Sequence, residues 1–236
     1  MLGVWMSVAT VWHFFRILPM GKSSVHNSSF VWLCYPIARR ILGLQFVVRK
    51  HKPNLPGPFV YIMNHQSALD LFSAVEVYPK DCILVVKTAL GKIPFFGWIL
   101  KLGNNVFLDR TNHEKSLDQM ALAKSKMLSQ NLSVWVFPEG TRRKTGLLHA
   151  FKQGAFHLAT QAKVPVFPVV ASGYSRAVDF NRWKSGTIIV EMLPCIESNS
   201  EEWSSVDELK KQCHKVMSAA FERITQESLA FSGLET

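Results

Sequence analysis

The sequence predicts an α/β fold: a largely buried, mixed sheet of about seven strands flanked by helices, preceded by a two-helix element. Three observations carry that expectation. From about residue 45 onward, short apolar runs rich in Val, Ile, Phe and Tyr alternate with longer helical stretches, the pattern of strands joined by crossover helices. The chain is 48% hydrophobic and 19% charged, which excludes a disordered chain or a coiled coil. Its 236 residues are enough to bury a core on a domain of ordinary size.

The first 45 residues stand apart. Residues 1–20 (MLGVWMSVATVWHFFRILPM) and 29–48 (SFVWLCYPIARRILGLQFVV) are each about long enough to span a bilayer. His13 and Arg16 spoil the first; Pro36 and the Arg39–Arg40 pair spoil the second, where one charge costs at least ~2.5–3.5 kcal/mol. Two interfacial helices joined by a polar turn over 21–29 fit better. Trp5, Trp12, Phe14, Phe15, Trp32 and Tyr35 would then sit at headgroup depth, and Arg16, Arg39 and Arg40 would meet lipid phosphates. A single transmembrane helix over 1–18 is a variant of this membrane-bound reading, and a pair of core helices covering a sheet is the alternative. The expected organisation is therefore a membrane-associated element over 1–45 and an α/β catalytic domain over 46–236.

Charge supports that division. The net charge is +10, and no Asp or Glu precedes Asp70, so residues 1–69 alone contribute +7. Such a stretch suits anionic lipid. Nucleic acid is excluded as a partner, because the chain has no Lys/Arg-rich helix, zinc-finger spacing or RNP-like strand. Cysteines 34, 82, 195 and 213 form no CxxC or metal spacing, so they read as reduced thiols, and no metal site is expected.

Strands are expected at 44–49, 59–63, 82–87, 105–108, 133–137, 166–171 and 186–193. Helices are expected at 67–77, 93–101, 113–129, 148–162 and 205–228. Pro165 and Pro168 argue that 166–171 is an edge or otherwise unusual strand.

Three segments carry chemistry. Asn64-His65-Gln66-Ser67-Ala68-Leu69-Asp70 follows the strand FVYIM, where α/β folds place reactive groups. Asp70 can orient His65 and leave one imidazole nitrogen as a general base; equally, Ser67 and Asp70 fit a helix cap. Phe137-Pro138-Glu139-Gly140-Thr141-Arg142 follows the strand SVWVF. Gly140 permits close backbone approach and Arg142 can grip an anion, or Glu139 and Arg142 form a solvated pair. The stretch from Lys87 to Arg110 interleaves Lys87, Lys92, Lys101 and Arg110 with Ile93, Phe95, Phe96 and Trp98. It suits a ligand with a phosphate and a hydrocarbon, or else a core helix with snorkelling lysines.

NHxxxxD, K…LGxIPxFGW…G…F…R, FPEGTR with the following FKxGAF, and VPVxPV occur here in order over about 55–175. Together they resemble the glycerolipid acyltransferases, and within them the bacterial-type 1-acyl-sn-glycerol-3-phosphate acyltransferases. The Val164–Pro168 segment departs mildly from the usual pattern. The resemblance implies that His65 deprotonates the sn-2 hydroxyl of lysophosphatidate, oriented by Asp70. The hydroxyl then attacks an acyl thioester, acyl-CoA or acyl-carrier protein, to give phosphatidate, with no cofactor beyond that co-substrate. It further implies that Lys87 and Arg110 hold the phosphate, and that Glu139, Gly140, Thr141 and Arg142 position the glycerophosphate. Such an enzyme would sit on the cytoplasmic face of a membrane.

Other readings are a sibling acyltransferase using glycerol 3-phosphate or another lysophospholipid, and a non-catalytic lipid-binding protein. A serine hydrolase is a further one: Gly173-Tyr174-Ser175-Arg176-Ala177 loosely imitates a nucleophile elbow, with Asp179 or Asp207 and His214 as partners for Ser175.

Overall fold

The computed structural model describes residues 2–233 except 53–54, 143–145, 200–202 and 204. Its elements run α1 (Leu2–Ile17), α2 (Val25–Leu42), β1 (Leu44–Arg49), β2 (Val60–Met63), α3 (Asp70–Ser73), β3 (Cys82–Lys87), α4 (Phe96–Leu102), β4 (Val106–Leu108), α5 (His113–Gln130), β5 (Ser133–Val136), α6 (Gly154–Ala162), β6 (Val166–Ala171), α7 (Tyr174–Ala177), β7 (Gly186–Met192) and α8 (Val206–Ser232). Short 3-10 turns follow α1 and β3.

The seven strands form one mixed sheet in the order β1-β7-β6-β2-β5-β3-β4. Five of them, β6, β2, β5, β3 and β4, are mutually parallel. β7 pairs with β6 antiparallel and with β1 parallel. Both faces are covered, which is why the strands read as continuous apolar runs. Val60, Ile62, Val134, Val166 and Val170 point into one core with Phe156, Met217 and Phe221. Tyr61, Met63, Trp135, Phe167 and Val169 point into the other. There Tyr61 stacks between Trp135 at 5.5 Å and Phe167 at 5.1 Å, across three neighbouring strands.

The strand over 166–171 is not at an edge. It lies between β7 and β2, and its Pro168 is accommodated by a bulge opposite it. Val169 pairs with Met192, whereas Val166 bridges to Ile196, one residue beyond regular register. Pro168, which has no N–H to give, sits where the pairing slips, and its carbonyl accepts from Leu193 N–H at 2.9 Å.

Helix bounds also moved. The second apolar stretch divides into α2 and β1, and α2 starts at Val25 inside the expected polar turn. Arg39 and Arg40 therefore sit in its last turn, where they complement the helix dipole, and Gly43 closes it at φ 61°. Pro36 lies on its exposed side. The helix expected at 148–162 begins only at Gly154, because Lys152 N–H is drawn to Pro138 O at 2.8 Å. The one expected at 67–77 is regular only over Asp70–Ser73, with hydrogen-bonded turns after it.

α1 and α2 share a core with the rest of the fold through Ile17, Phe30, Cys34, Phe72, Val75 and Ile99. A buried amide pair locks them down. Asn105 donates to Asn27 Oδ1 at 2.7 Å, and Asn27 donates to Asn105 Oδ1 at 2.9 Å and to Gly103 O at 3.0 Å. Leu84 N–H also donates to Asn105 Oδ1 at 2.7 Å. A Cβ on Gly103 would stand 2.1 Å from Asn27 Oδ1, so only glycine fits there. Asn27→Ala leaves these buried partners unpaired and is expected to cost about 1–3 kcal/mol. Thermal denaturation reads this as a Tm lowered by several degrees, and an unchanged Tm contradicts it.

No helix among the described residues is long and apolar enough to cross a membrane. Cys34, Cys82 and Cys213 are buried free thiols. Burial pushes Cys34 up to about 11 and Cys213 up to about 12, which keeps both protonated.

Candidate active site

The carboxyl ends of β2, β5, β3 and β4 lie along one edge of the sheet, because these neighbours are all parallel. His65 follows β2, Phe137–Arg142 follow β5, Lys87 ends β3, and Arg110 lies two residues past β4. Three strand spacings, ~14 Å, separate the first position from the last.

His65 and Asp70 form the centre. Asp70 is buried, and its Oδ2 accepts from His65 Nδ1 at 2.6 Å, Gln66 N–H at 2.9 Å and Ser67 N–H at 3.0 Å. One oxygen thus meets both the ring and the loop, while the expected cap at Ser67 is not formed: α3 begins after Leu69 with no side-chain cap. Ser67 Oγ accepts from Leu69 N–H at 3.0 Å, completing the turn. Asp70 Oδ1 is buried with no hydrogen bond. Burial and the Asp70 charge push the nearby Tyr174 phenol well above its ordinary range. That phenol instead pairs with Ser73 Oγ at 2.7 Å.

The other imidazole nitrogen faces out. Arg142 Nε donates to His65 Nε2 at 3.3 Å. Arginine can only donate, so Nε2 carries the lone pair and Nδ1 the proton that Asp70 accepts. This is the tautomer a general base requires.

Four residues given no role from sequence hold this arrangement. Asn64 clamps the end of β2 to β6, donating to Ala171 O at 2.9 Å and accepting from Ala171 N–H at 2.8 Å. Gln66 donates to Ser172 O at 3.0 Å and accepts from Tyr174 N–H at 3.1 Å. Phe137 stacks on the His65 ring at 4.0 Å. Lys152 lays its stem over Gly140, where a Cβ would come within 2.9 Å of it. The position of Asn64 and Gln66, polar residues directly after a buried strand, is the one signal that could have singled them out.

The remaining expected residues distribute as follows. Glu139 is only 7% exposed and accepts the His65 backbone N–H at 2.6 Å, so it braces the histidine from behind. Gly140 turns the chain at φ 75°, with its N–H on Phe137 O at 3.1 Å. Thr141, Arg142 and Lys87 are exposed. Arg110 reaches solvent too, yet the surrounding chain desolvates its guanidinium enough to hold it below its ordinary range. The preceding Asp109 does not pair with it: its Oδ1 accepts from Thr111 N–H at 3.1 Å and Thr111 Oγ at 2.6 Å. Among the described residues no carboxylate forms an ion pair with Lys87, Arg110 or Arg142.

The serine-hydrolase constellation does not assemble. Ser175 is exposed on α7, while His214 is held by His149 O at 3.2 Å and Ser218 Oγ at 3.4 Å and packs on Phe151. Asp207 is occupied by Lys210 and Lys211, and Asp179 accepts from Asn181.

An acyltransferase family model matches residues 45–172, which contain all of the candidate site. A human 1-acyl-sn-glycerol-3-phosphate acyltransferase beta is 34% identical over 213 residues, covering 89% of this chain and 77% of that protein. An Escherichia coli 1-acyl-sn-glycerol-3-phosphate acyltransferase is 36% identical over 171 residues, covering 72% and 70%. The crystal structure of the 1-acyl-sn-glycerophosphate acyltransferase PlsC from Thermotoga maritima superposes with a TM-score of 0.63, at 22% identity over 95% of this chain and 98% of that one. It shares the fold. With a family match over more than half its length, and relatives this similar over most of theirs, the chain belongs to the acyltransferase family, among the 1-acyl-sn-glycerol-3-phosphate acyltransferases.

Proposed function

We propose that the protein moves a fatty acyl group from a thioester, acyl-CoA or acyl-carrier protein, to the sn-2 hydroxyl of lysophosphatidate, giving phosphatidate. One observation carries the reading: His65 is held by Asp70 with its Nε2 lone pair outward, on an edge that also presents Arg142, Lys87 and Arg110, for which no carboxylate among the described residues forms an ion pair.

His65 Nε2 takes the hydroxyl proton as the oxygen attacks the thioester carbonyl. Asp70 stabilises the imidazolium that forms. The C–S bond breaks, and the departing thiolate receives the proton back from His65. The thioester is already activated, so no acyl-enzyme is needed, and the base is worth about 10²–10⁴ in rate. The substrate phosphate attracts Arg142 off Nε2, which frees the lone pair on binding. Lys87 and Arg110, farther along the edge, complete the phosphate site. Glu139 acts through the His65 backbone and Gly140 through the turn, so both position rather than bind.

The assay is thioester cleavage and product identification with lysophosphatidate or glycerol 3-phosphate as acceptor, using each donor. Phosphatidate from lysophosphatidate supports the reading. Acylation of glycerol 3-phosphate alone moves the protein to the sibling activity.

The substrate is a lipid, and α1 and α2 provide the membrane contact. Val4, Val8, Trp12, Phe15 and Leu18 are exposed along one stripe of the first helix and its turn, and Trp32, Ile37 and Ile41 on the second. Arg16, Arg39 and Arg40 lie exposed among them. The site proposed for these helices is the cytoplasmic face, where thioester donors are made. Deleting them would uncover the shared core, so surface variants are the cleaner test. Trp12→Ser combined with Phe15→Ser is expected to lower partitioning onto anionic vesicles at least tenfold. Unchanged co-sedimentation contradicts the docking.

A further inference from the structure

The segment between α7 and β7 has no part in the chemistry above, yet it carries the most exposed large apolar residue of the described chain. Trp183 is 94% exposed and Phe180 57%. Between and beside them, Arg182 and Lys184 are exposed as well. The segment is a closed hairpin. Val178 bridges Gly186, Asp179 N–H donates to Ser185 O at 2.7 Å, and Ser185 Oγ donates to Arg182 O at 3.1 Å. Its one carboxylate is turned inward, accepting from Asn181 N–H at 2.9 Å and Asn181 Nδ2 at 3.0 Å. The tip therefore offers two aromatic rings and two cations. That is the chemistry of a lipid interface with anionic headgroups, where a Trp ring lies at headgroup depth and cations meet phosphate.

Topology says where the tip lies. β7 runs against β6, so Gly186 at its start stands beyond Ala171 at the carboxyl edge, the edge that carries His65. β1 starts at the same edge, with Leu44 opposite Gly186. The hairpin is tied there to the end of α2, because Ser185 N–H donates to Gly43 O at 2.9 Å. The last turns of α2, which lead to that tie, expose Ile37 and Ile41. On the far side of His65, the segment that follows β3 exposes Ile93 ahead of α4 and Trp98 in the first turn of α4. In the strand order β7-β6-β2-β5-β3, the His65 strand is two positions from each flank, ~10 Å either way.

We propose that the 179–185 hairpin is a second membrane contact, so that the bilayer meets the catalytic edge on both sides of His65 and lysophosphatidate enters directly from the lipid plane. The inference rests on the membrane docking of α1 and α2.

The test uses the full-length protein with vesicles of phosphatidylcholine, with and without phosphatidylglycerol. The variants are Phe180→Ser combined with Trp183→Ser, and Leu128→Ser as a control that removes an exposed apolar residue near the end of α5, at the opposite edge of the sheet. The double variant is expected to bind anionic vesicles about tenfold more weakly, and the control to bind like wild type. Its KM for lysophosphatidate in vesicles should rise by a similar factor, with turnover of a water-soluble short-chain lysophosphatidate unchanged. Equal vesicle binding by wild type and double variant overturns the proposal. So does a matching loss with the short-chain substrate, which would place the hairpin in the active site. A change of oligomeric state without loss of vesicle binding overturns it in favour of a second copy of the chain. Wild type that binds no vesicles overturns both this contact and the docking of α1 and α2. Vesicle binding is read without turnover, so these outcomes stand whatever the acceptor substrate is.

Discussion

His65→Ala is expected to abolish acyl transfer while leaving lysophosphatidate binding close to wild type. The acceptor hydroxyl is a weak nucleophile at neutral pH, and removing the base takes away about 10²–10⁴ in rate, or roughly 3–5 kcal/mol of transition-state stabilisation. The ring should contribute little to ground-state binding, because in the proposed site the phosphate is held by cations presented at the ends of neighbouring strands. The loss should therefore fall on kcat, with KM for lysophosphatidate little changed. The fold should survive. The His65 backbone N–H still meets Glu139, and Asp70 still accepts from Gln66 and Ser67. Steady-state kinetics with a thermal melt checks both halves. A variant that turns over normally removes His65 from the mechanism.

Arg110→Ala should act on the other kinetic constant. The residue follows a strand end and is presented by a turn in which Asp109 is engaged by Thr111, Gln119 and Ser116. A guanidinium so held matches phosphate oxygens with two parallel N–H donors. Its loss should raise KM for lysophosphatidate by about 10–150-fold, corresponding to roughly 1.5–3 kcal/mol for a charge-assisted pair. Arg110→Lys should recover part of this, since charge returns without the fork. KM for the thioester should stay near wild type. Lys92 and Lys101 are exposed beyond the strand ends, and their alanine variants should cost less than about 1 kcal/mol. An Arg110→Ala effect confined to the thioester would assign the residue to the donor phosphates.

The residues that announce this site are those whose partners lie close in sequence. His65 and Asp70 are five apart, so their pairing follows from a loop leading into a helix, and the structure brings them to 2.6 Å. The strands were legible because both faces of the sheet are buried, which leaves unbroken apolar runs such as CILVVK and VFPVVA. What depends on distant contacts was not. Glu139 is a charged residue three positions before an Arg, a pattern that suits ligand binding, yet it is buried behind His65 in the loop after the neighbouring strand β5. Asn64 needs Ala171, more than a hundred residues away, before its role exists. Pro168 argues locally for an edge, but a bulge opposite it admits it to the middle of the sheet. α6 starts six residues later than expected, beyond a backbone bond between Lys152 and Pro138.

The most direct test of the account is the kcat of Asp70→Asn at saturating lysophosphatidate. An asparagine oxygen in place of Oδ2 can still accept from His65 Nδ1–H, Gln66 and Ser67, and asparagine caps about as well as aspartate. The loop and the ring orientation should therefore persist, with Tm near wild type. What disappears is the charge that stabilises the imidazolium. The account predicts a kcat lowered by about 10²–10⁴, close to that of His65→Ala. A kcat near wild type would show that Asp70 only holds the loop, and would contradict a His65–Asp70 base.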